Sequence, residues 1–213
     1  GNELLLAMKA GFEPKYTVFN GNGKTIQELK IAVEKGVLIN IDSEFDLRHI
    51  STVAAEQQKK TDVLIRINPD IDPEVHPYVS TGIKKSKFGI RNDRIEQFLE
   101  EIDSAEYLNL VGLHCHLGST IKSVKVFQDA AVLMMDFVKI VRKQGFELKY
   151  LNLGGGLGID YYRNGEEPIP TPQELVDSIR NYLDDISLII EPGRSIIGDS
   201  SILVNRVTGV KTT

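Results

Sequence analysis

Short apolar runs alternate along this chain with stretches of helical periodicity, and the alternation predicts a parallel sheet with crossover helices. The strand candidates are Tyr16 to Phe19, Leu38 to Ile41, Val63 to Ile67, Leu110 to His114, Tyr150 to Leu153 and Ser187 to Ile190. Most are apolar throughout and rich in Val, Ile or Leu, the pattern of strands covered on both faces. The helices between them have readable ends. Thr25-Ile26-Gln27-Glu28 has the capping-box pattern, and Gly36 can supply a left-handed stop. Thr171-Pro172-Gln173-Glu174 repeats the device, with proline at the first helical position where a missing N–H is no loss. Phe127, Ala131, Met134, Val138 and Val141 form one stripe at helical spacing that ends before Gly145, and they read as a core-facing side.

Six strand–helix units are visible, whereas a closed barrel needs eight. An open doubly wound sheet is the competitor. Polar and glycine residues gather just after strand upon strand, which places them together at the C-terminal mouth where barrel enzymes keep their sites. The predicted fold class is therefore α/β: a TIM (β/α)8-type barrel over residues 1–200, incomplete at its N-terminal end. Ile202 to Val210 alternates differently and no helix follows it. It reads as the first strand of a truncated, mainly β domain at 201–213. The opening Gly1-Asn2-Glu3 leads straight into a helical apolar side, shows no signal or transit pattern, and reads as a cut through a structure.

Composition narrows the partners. The 213 residues are 41% hydrophobic and 26% charged, ordinary values for a globular protein. A net charge of -5 gives no electrostatic reason to expect nucleic acid or an anionic membrane surface. No apolar run approaches the roughly 20 residues that span a bilayer. The lone cysteine, Cys115, permits no internal disulfide and points to a reducing compartment.

Several motifs invite chemistry. Asn20-Gly21-Asn22-Gly23-Lys24-Thr25 ends like a Walker A loop, but the glycine required five positions before Gly23 is Val18. A turn into the capped helix remains, with Lys24 a possible polar contact at the mouth. Gly154-Gly155-Gly156-Leu157-Gly158 follows a strand, yet the dinucleotide fingerprint fails at Ile159. Consecutive glycines still let backbone N–H groups converge on an anion, so the loop reads as a phosphate site, with a strained turn as the alternative. His114 and His116 share one face of a strand by the period of two. A metal pair would have to recruit carboxylates, since His49 and His76 are the only other histidines; no metal is predicted. Glu191-Pro192-Gly193-Arg194 ends the last strand, either as a carboxylate–guanidinium brace or with Glu191 aimed into the mouth toward a cationic ring nitrogen. Arg66-Ile67-Asn68-Pro69 and Ser86-Lys87-Phe88-Gly89 flank an irregular stretch of about twenty residues, long for a compact domain.

Taken in order, Asn20-Gly21-Asn22-x-Lys24, Arg66-x-Asn68-Pro69, Ser86 to Gly89, His114 to Ser119, Gly154 to Gly158 and Glu191 to Arg194 closely resemble the diaminopimelate decarboxylase family. The resemblance runs the whole chain. Tyr150 to Gly154, Asp160 to Tyr162 and Val204 to Val210 are similar to the plant form. It implies a fold-type III enzyme that uses pyridoxal 5'-phosphate in a β/α barrel followed by a β domain, acts as a homodimer, and converts meso-2,6-diaminopimelate to L-lysine. A plastid location follows if the source is a plant.

The resemblance also assigns roles. Glu191 and His116 are the catalytic candidates: Glu191 would hold the protonated pyridine nitrogen, and His116 would stack on the ring. Ser119, Gly155 and Gly156 would bind the cofactor phosphate, with Gly154, Pro192 and Gly193 shaping the pocket. Arg194 would meet the carboxylate of a small amino-acid substrate near the cofactor. Arg66 and Asn20 would support the pocket from neighbouring strands. The family's cofactor-binding lysine falls before residue 1, Lys24 is not its equivalent, and later substrate ligands fall after Thr213. The resemblance therefore implies a cofactor cradle that does not decarboxylate by itself. Sister decarboxylases of ornithine, arginine or carboxynorspermidine share the last three motifs, and a non-catalytic barrel module is the reading from another class. Substrate preference separates the first alternative and cofactor binding the second.

Overall fold

The computed structural model describes residues 1–69, 89–162, 165, 169–198, 200 and 202–211. The strands are β1 (Val18–Phe19), β2 (Leu38–Ile41), β3 (Thr61–Arg66), β4 (Leu108–His114), β5 (Tyr150–Asn152) and β6 (Ser187–Ile189). Among the described residues they make one six-stranded sheet in chain order, every neighbour parallel. The helices are α1 (Asn2–Lys9), α2 (Ile26–Lys35), α3 (Glu44–Glu56), α4 (Ile95–Asp103), α5 (Val124–Lys143), α6 (Pro172–Ile179) and α7 (Arg194–Ile197).

Side chains alternate across each strand, so the sheet has two different faces. Ile39, Ile41, Val63, Ile65, Leu113 and Leu151 pack with the helices in one continuous core. Phe98 of α4 and Phe127 of α5 are among its largest fully buried members. The other face carries a smaller apolar cluster of Leu38, Leu64 and Val111, with Val18, Tyr150 and Ile189 against it. Above that cluster, toward the strands' C-terminal ends, the same face turns polar.

A flat sheet of this order would hold β1 and β6 roughly 24 Å apart, five strand spacings of about 4.8 Å. Yet Asn20, one residue past β1, donates to Glu191, two residues past β6, at 2.8 Å. The sheet is curled, with its polar face inside and its helix-covered face outside. Sequential strand order together with this curl is barrel geometry and excludes the open doubly wound sheet.

The predicted helix ends are present. Thr25 and Glu28 cap each other reciprocally, Thr171 and Glu174 do the same, and Gly36 closes α2 at φ 72°. The stripe from Phe127 to Val141 is buried along α5. Strand limits shift slightly. Tyr16 falls in a 3-10 turn, Pro14–Tyr16, because the proline holds that turn, so β1 begins at Val18. Ile67 leaves β3 to bridge Ile90. Ile202 to Val210, expected as a strand, takes no regular structure and leaves its apolar side chains exposed, because a strand requires a hydrogen-bonding neighbour. Ser86, Lys87 and Phe88 of the third motif lie outside the described residues, as does His76.

Strand β4 pairs with β5 at Gly112, where an added Cβ would sit 2.3 Å from the Tyr150 carbonyl oxygen and 2.8 Å from Leu64. Gly112→Ala is expected to destabilise the protein by about 1–3 kcal/mol, since neither the sheet nor the inner cluster can yield without strain. Urea unfolding measures this directly, and an unchanged midpoint would contradict the packing described.

Candidate active site

Each strand end delivers a polar side chain to the inside of the curl. The set is Asn20, Asn40, Arg66, His114, Asn152 and Glu191, and Asn40, His114 and Asn152 are fully buried. These residues arise from the strand period. Asn40 follows Leu38, Arg66 follows Leu64 and Asn152 follows Tyr150, each two positions on and therefore on the same inward face.

Glu191 lies at the centre. Its Oε1 accepts from Asn20 Nδ2 and from Asn152 Nδ2, both at 2.8 Å. Its Oε2 lies 3.9 Å from His114 Nε2. The brace between Glu191 and Arg194, one of the two readings of the sequence, does not form: Arg194 instead lies over the Tyr161 ring, 5.6 Å from its centroid. Nor is the Glu191 carboxylate unpaired in the mouth. Neutral amides hold it.

His114 is held neutral. Burial drives its pKa well below the usual 6.5, and the nearby Arg66, His116 and Lys24 charges act in the same direction. Asn20 Nδ2 lies 3.4 Å from His114 Nε2. Asn20 presents a donor there, which assigns the imidazole proton to Nδ1; that atom has no hydrogen-bond partner. His116 is half-buried, and burial again is the main reason its pKa is lowered. Gly155 N–H donates to His116 Nδ1 at 3.3 Å, which assigns the proton of this second ring to Nε2. Cys115, between the two, points into the helix-side core, and burial pushes its thiol pKa up to about 12.

The loops after β4 and β5 are stitched together. Ile121 N–H donates to the Gly156 carbonyl and Gly158 N–H to the Ile121 carbonyl, both at 2.9 Å. This pairing places Ser119 beside the glycine turn. Gly155 admits no side chain, because a Cβ would meet the Glu191 carbonyl oxygen at 2.1 Å. Gly156, at φ 109°, would meet the Gly118 carbonyl oxygen at 2.2 Å. The turn thus lies against both the His116 loop and the Glu191 strand end, and Glu191 N–H closes onto the Gly154 carbonyl at 2.9 Å. Pro192 and Gly193 are exposed, and Arg194 opens the short α7.

Lys24 does not reach the mouth. It pairs with Asp46 at 2.7 Å in a fully buried contact and donates to the Gly21 carbonyl, because α3 begins immediately beneath the turn. Asp42 pairs with Arg66 at 2.9 Å. His114 and His116 share the inward face as the strand period requires, and among the described residues no group of three possible metal ligands forms around them. Sequence reasoning overlooked Asn40, Asn152, Asp42 and Asp46. The first two had a signal: an amide inside otherwise apolar strands, Leu38 to Ile41 and Tyr150 to Leu153, at the position that faces inward.

A curled β/α sheet with a glycine turn, an inward histidine and a centred carboxylate defines a barrel domain built to hold a phosphorylated, ring-bearing ligand. Residues 1–198 match the family described as pyridoxal-dependent decarboxylase, pyridoxal binding domain, and the chain belongs to that family. It is 57% identical, over its whole length and 44% of the relative's, to a probable chloroplastic diaminopimelate decarboxylase of Oryza sativa subsp. japonica. It is 40% identical to diaminopimelate decarboxylase of Aquifex aeolicus, over 99% of this chain and 50% of that protein. The crystal structure of the Helicobacter pylori diaminopimelate decarboxylase complexed with L-lysine superposes with a TM-score of 0.86 at 32% identity, covering 92% of this chain and 50% of that one. The chain spans about half the length of the relatives it matches. Among the described residues no helix is long and apolar enough to cross a membrane.

The buried histidines set a pH dependence. His114 and His116 have folded-state pKa values below the ordinary 6.5, so the unfolded chain takes up protons first as pH falls. Their contribution to stability is full above about pH 6.5 and is lost as pH drops below it, at about 1.4 kcal/mol per pH unit for each group whose protonation differs. His114→Gln is expected to flatten the fall in urea midpoint between pH 7 and pH 5. An equally steep fall in the variant would show that His114 is not its source.

Proposed function

We propose that this chain is the pyridoxal phosphate-binding part of an enzyme that releases carbon dioxide from meso-2,6-diaminopimelate to give L-lysine. The observation that carries the proposal is the Glu191 carboxylate, centred at the strand ends and lying beside a glycine turn that tolerates no side chain. The residues fit the cofactor: an anion for a cationic ring nitrogen, a neutral imidazole for the ring face, and a glycine and hydroxyl rim for the phosphate. Bound there, the cofactor supplies an electron sink for the pair left by a departing carboxylate.

The chain's own residues do the rest. Glu191 keeps a proton on the ring nitrogen through its free oxygen. His116, its ring oriented by Gly155 N–H, packs against the ring face. Ser119 and Gly156 donate to the phosphate, while Gly154 and Gly155, the latter with its N–H on His116, shape the turn beneath it. Pro192 and Gly193 lead the chain from Glu191 into α7, and the family resemblance gives Arg194, which lies over the Tyr161 ring here, the role of meeting a substrate carboxylate. Arg66 and Asn20 support the pocket, Arg66 through Asp42 and Asn20 through Glu191. The match to a chloroplastic relative supports a plastid location, the family match ending at residue 198 supports a barrel boundary near 200, and the family resemblance supports a β domain beyond it. The family resemblance supports a homodimer.

The test is lysine and carbon dioxide production from meso-diaminopimelate by the full-length holoenzyme that carries this chain, set against ornithine and arginine. Glu191→Gln is expected to lower kcat by about a hundredfold or more, the scale of losing a preorganised electrostatic contact at the reacting centre. Gly155→Ala is expected to weaken cofactor binding at least about tenfold, or 1.4 kcal/mol. Full activity in Glu191→Gln, or a preference for ornithine, overturns the assignment.

A further inference from the structure

Glu191 could adopt several rotamers at a strand end, and only one presents an oxygen to a ring nitrogen. What selects it is on the opposite edge of the sheet and on the neighbouring strand. We infer that Asn20 and Asn152 are positioning residues that clamp Oε1 of Glu191 and leave Oε2 alone to meet the ring. The inference rests on the cofactor reading above, extended to residues that do not touch the cofactor.

The orientation of both amides is determined by their other ends. Asn20 Oδ1 accepts from Asn40 Nδ2 at 2.9 Å and from Gly21 N–H at 2.8 Å. Asn152 Oδ1 accepts from Gly154 N–H at 2.8 Å. With their oxygens so engaged, both side chains must turn Nδ2 toward Glu191, because a flip would set oxygen against oxygen at Glu191 and N–H against N–H at Asn40, Gly21 and Gly154. His114, neutral and 3.9 Å from Oε2, brings no competing charge.

The arrangement lowers stability, which argues that it is kept for function. Asn40 is fully buried, donates to Asn20, and leaves its Oδ1 without a partner. A buried acceptor left unsatisfied costs about 1–3 kcal/mol, and an apolar residue at position 40 would avoid that cost. Asn40 acts at one remove, by holding the amide that holds the carboxylate.

The experiment is 15N NMR of the holoprotein loaded with pyridoxal phosphate labelled at the ring nitrogen, alongside steady-state kinetics. Wild type is expected to show the protonated resonance. Asn20→Ala and Asn152→Ala are each expected to move it downfield, toward the deprotonated position, with kcat reduced about tenfold per amide. Asn40→Ala is expected to move it partway, and it carries the test if the first two variants fail to fold. An unshifted resonance in Asn40→Ala and in whichever of the other variants fold overturns the clamp while leaving the cofactor assignment standing. A wild-type protein that binds no cofactor, or binds it with a deprotonated nitrogen that Glu191→Gln does not alter, overturns the function reading itself.

Discussion

The Glu191 carboxylate joins the two edges of the sheet. It stands past β6 and receives a hydrogen bond from Asn20 past β1, so it exists in this environment only because the sheet curls. The curl in turn requires an outer face apolar enough to bind helices along its length. Ile39, Ile41, Val63 and Ile65 supply it in β2 and β3, and Leu113 and Leu151 in β4 and β5. Because the strand period is two, each position that serves the helix core dictates that its neighbours face inward. A continuous apolar outer face therefore leaves the inner face free to be apolar below and polar above.

The polar inner layer is rigid for the same reason that it is expensive. Buried ions must find partners, and here the ion pairs are linked to one another. Lys24 ties the Asn20 turn to α3 through Asp46, and Asp46 also accepts from the Asp42 backbone N–H at 3.2 Å. Asp42 then holds Arg66. Displacing one member leaves a charge stranded in a low dielectric, and breaking a buried ion pair in this way costs several kcal/mol. The loops at the mouth are thereby braced from beneath by contacts that no ligand needs to touch.

Much of this was legible in the sequence. The strand positions, both capping boxes and the glycine turn follow from local rules, because each depends on residues a few positions apart. His114 and His116 share a face simply by alternation. The connections between strands were not legible. Nothing local says that Lys24 meets Asp46 rather than the mouth, or that Glu191 is held by amides from β1 and β5 rather than by Arg194. Those pairings depend on register and curl, which set residues about 20 to 170 positions apart side by side. The segment Ile202 to Val210 illustrates the same point: its alternation suggests a strand, but alternation alone does not name the neighbour with which it would pair.

The choice of amides around Glu191 has a physical logic. A lysine or arginine in place of Asn20 or Asn152 would bind the carboxylate more strongly and would also neutralise it. A cationic ring nitrogen would then compete with a permanent cation for the same oxygen. Neutral N–H donors fix geometry without cancelling charge. The other charged groups of the layer are withdrawn from that role: Arg66 is paired with Asp42, Lys24 with Asp46, and burial holds His114 neutral. The layer therefore presents Glu191 as an anion whose charge is not offset by a direct ion pair with any of them, a condition that favours a protonated ring nitrogen over a neutral one.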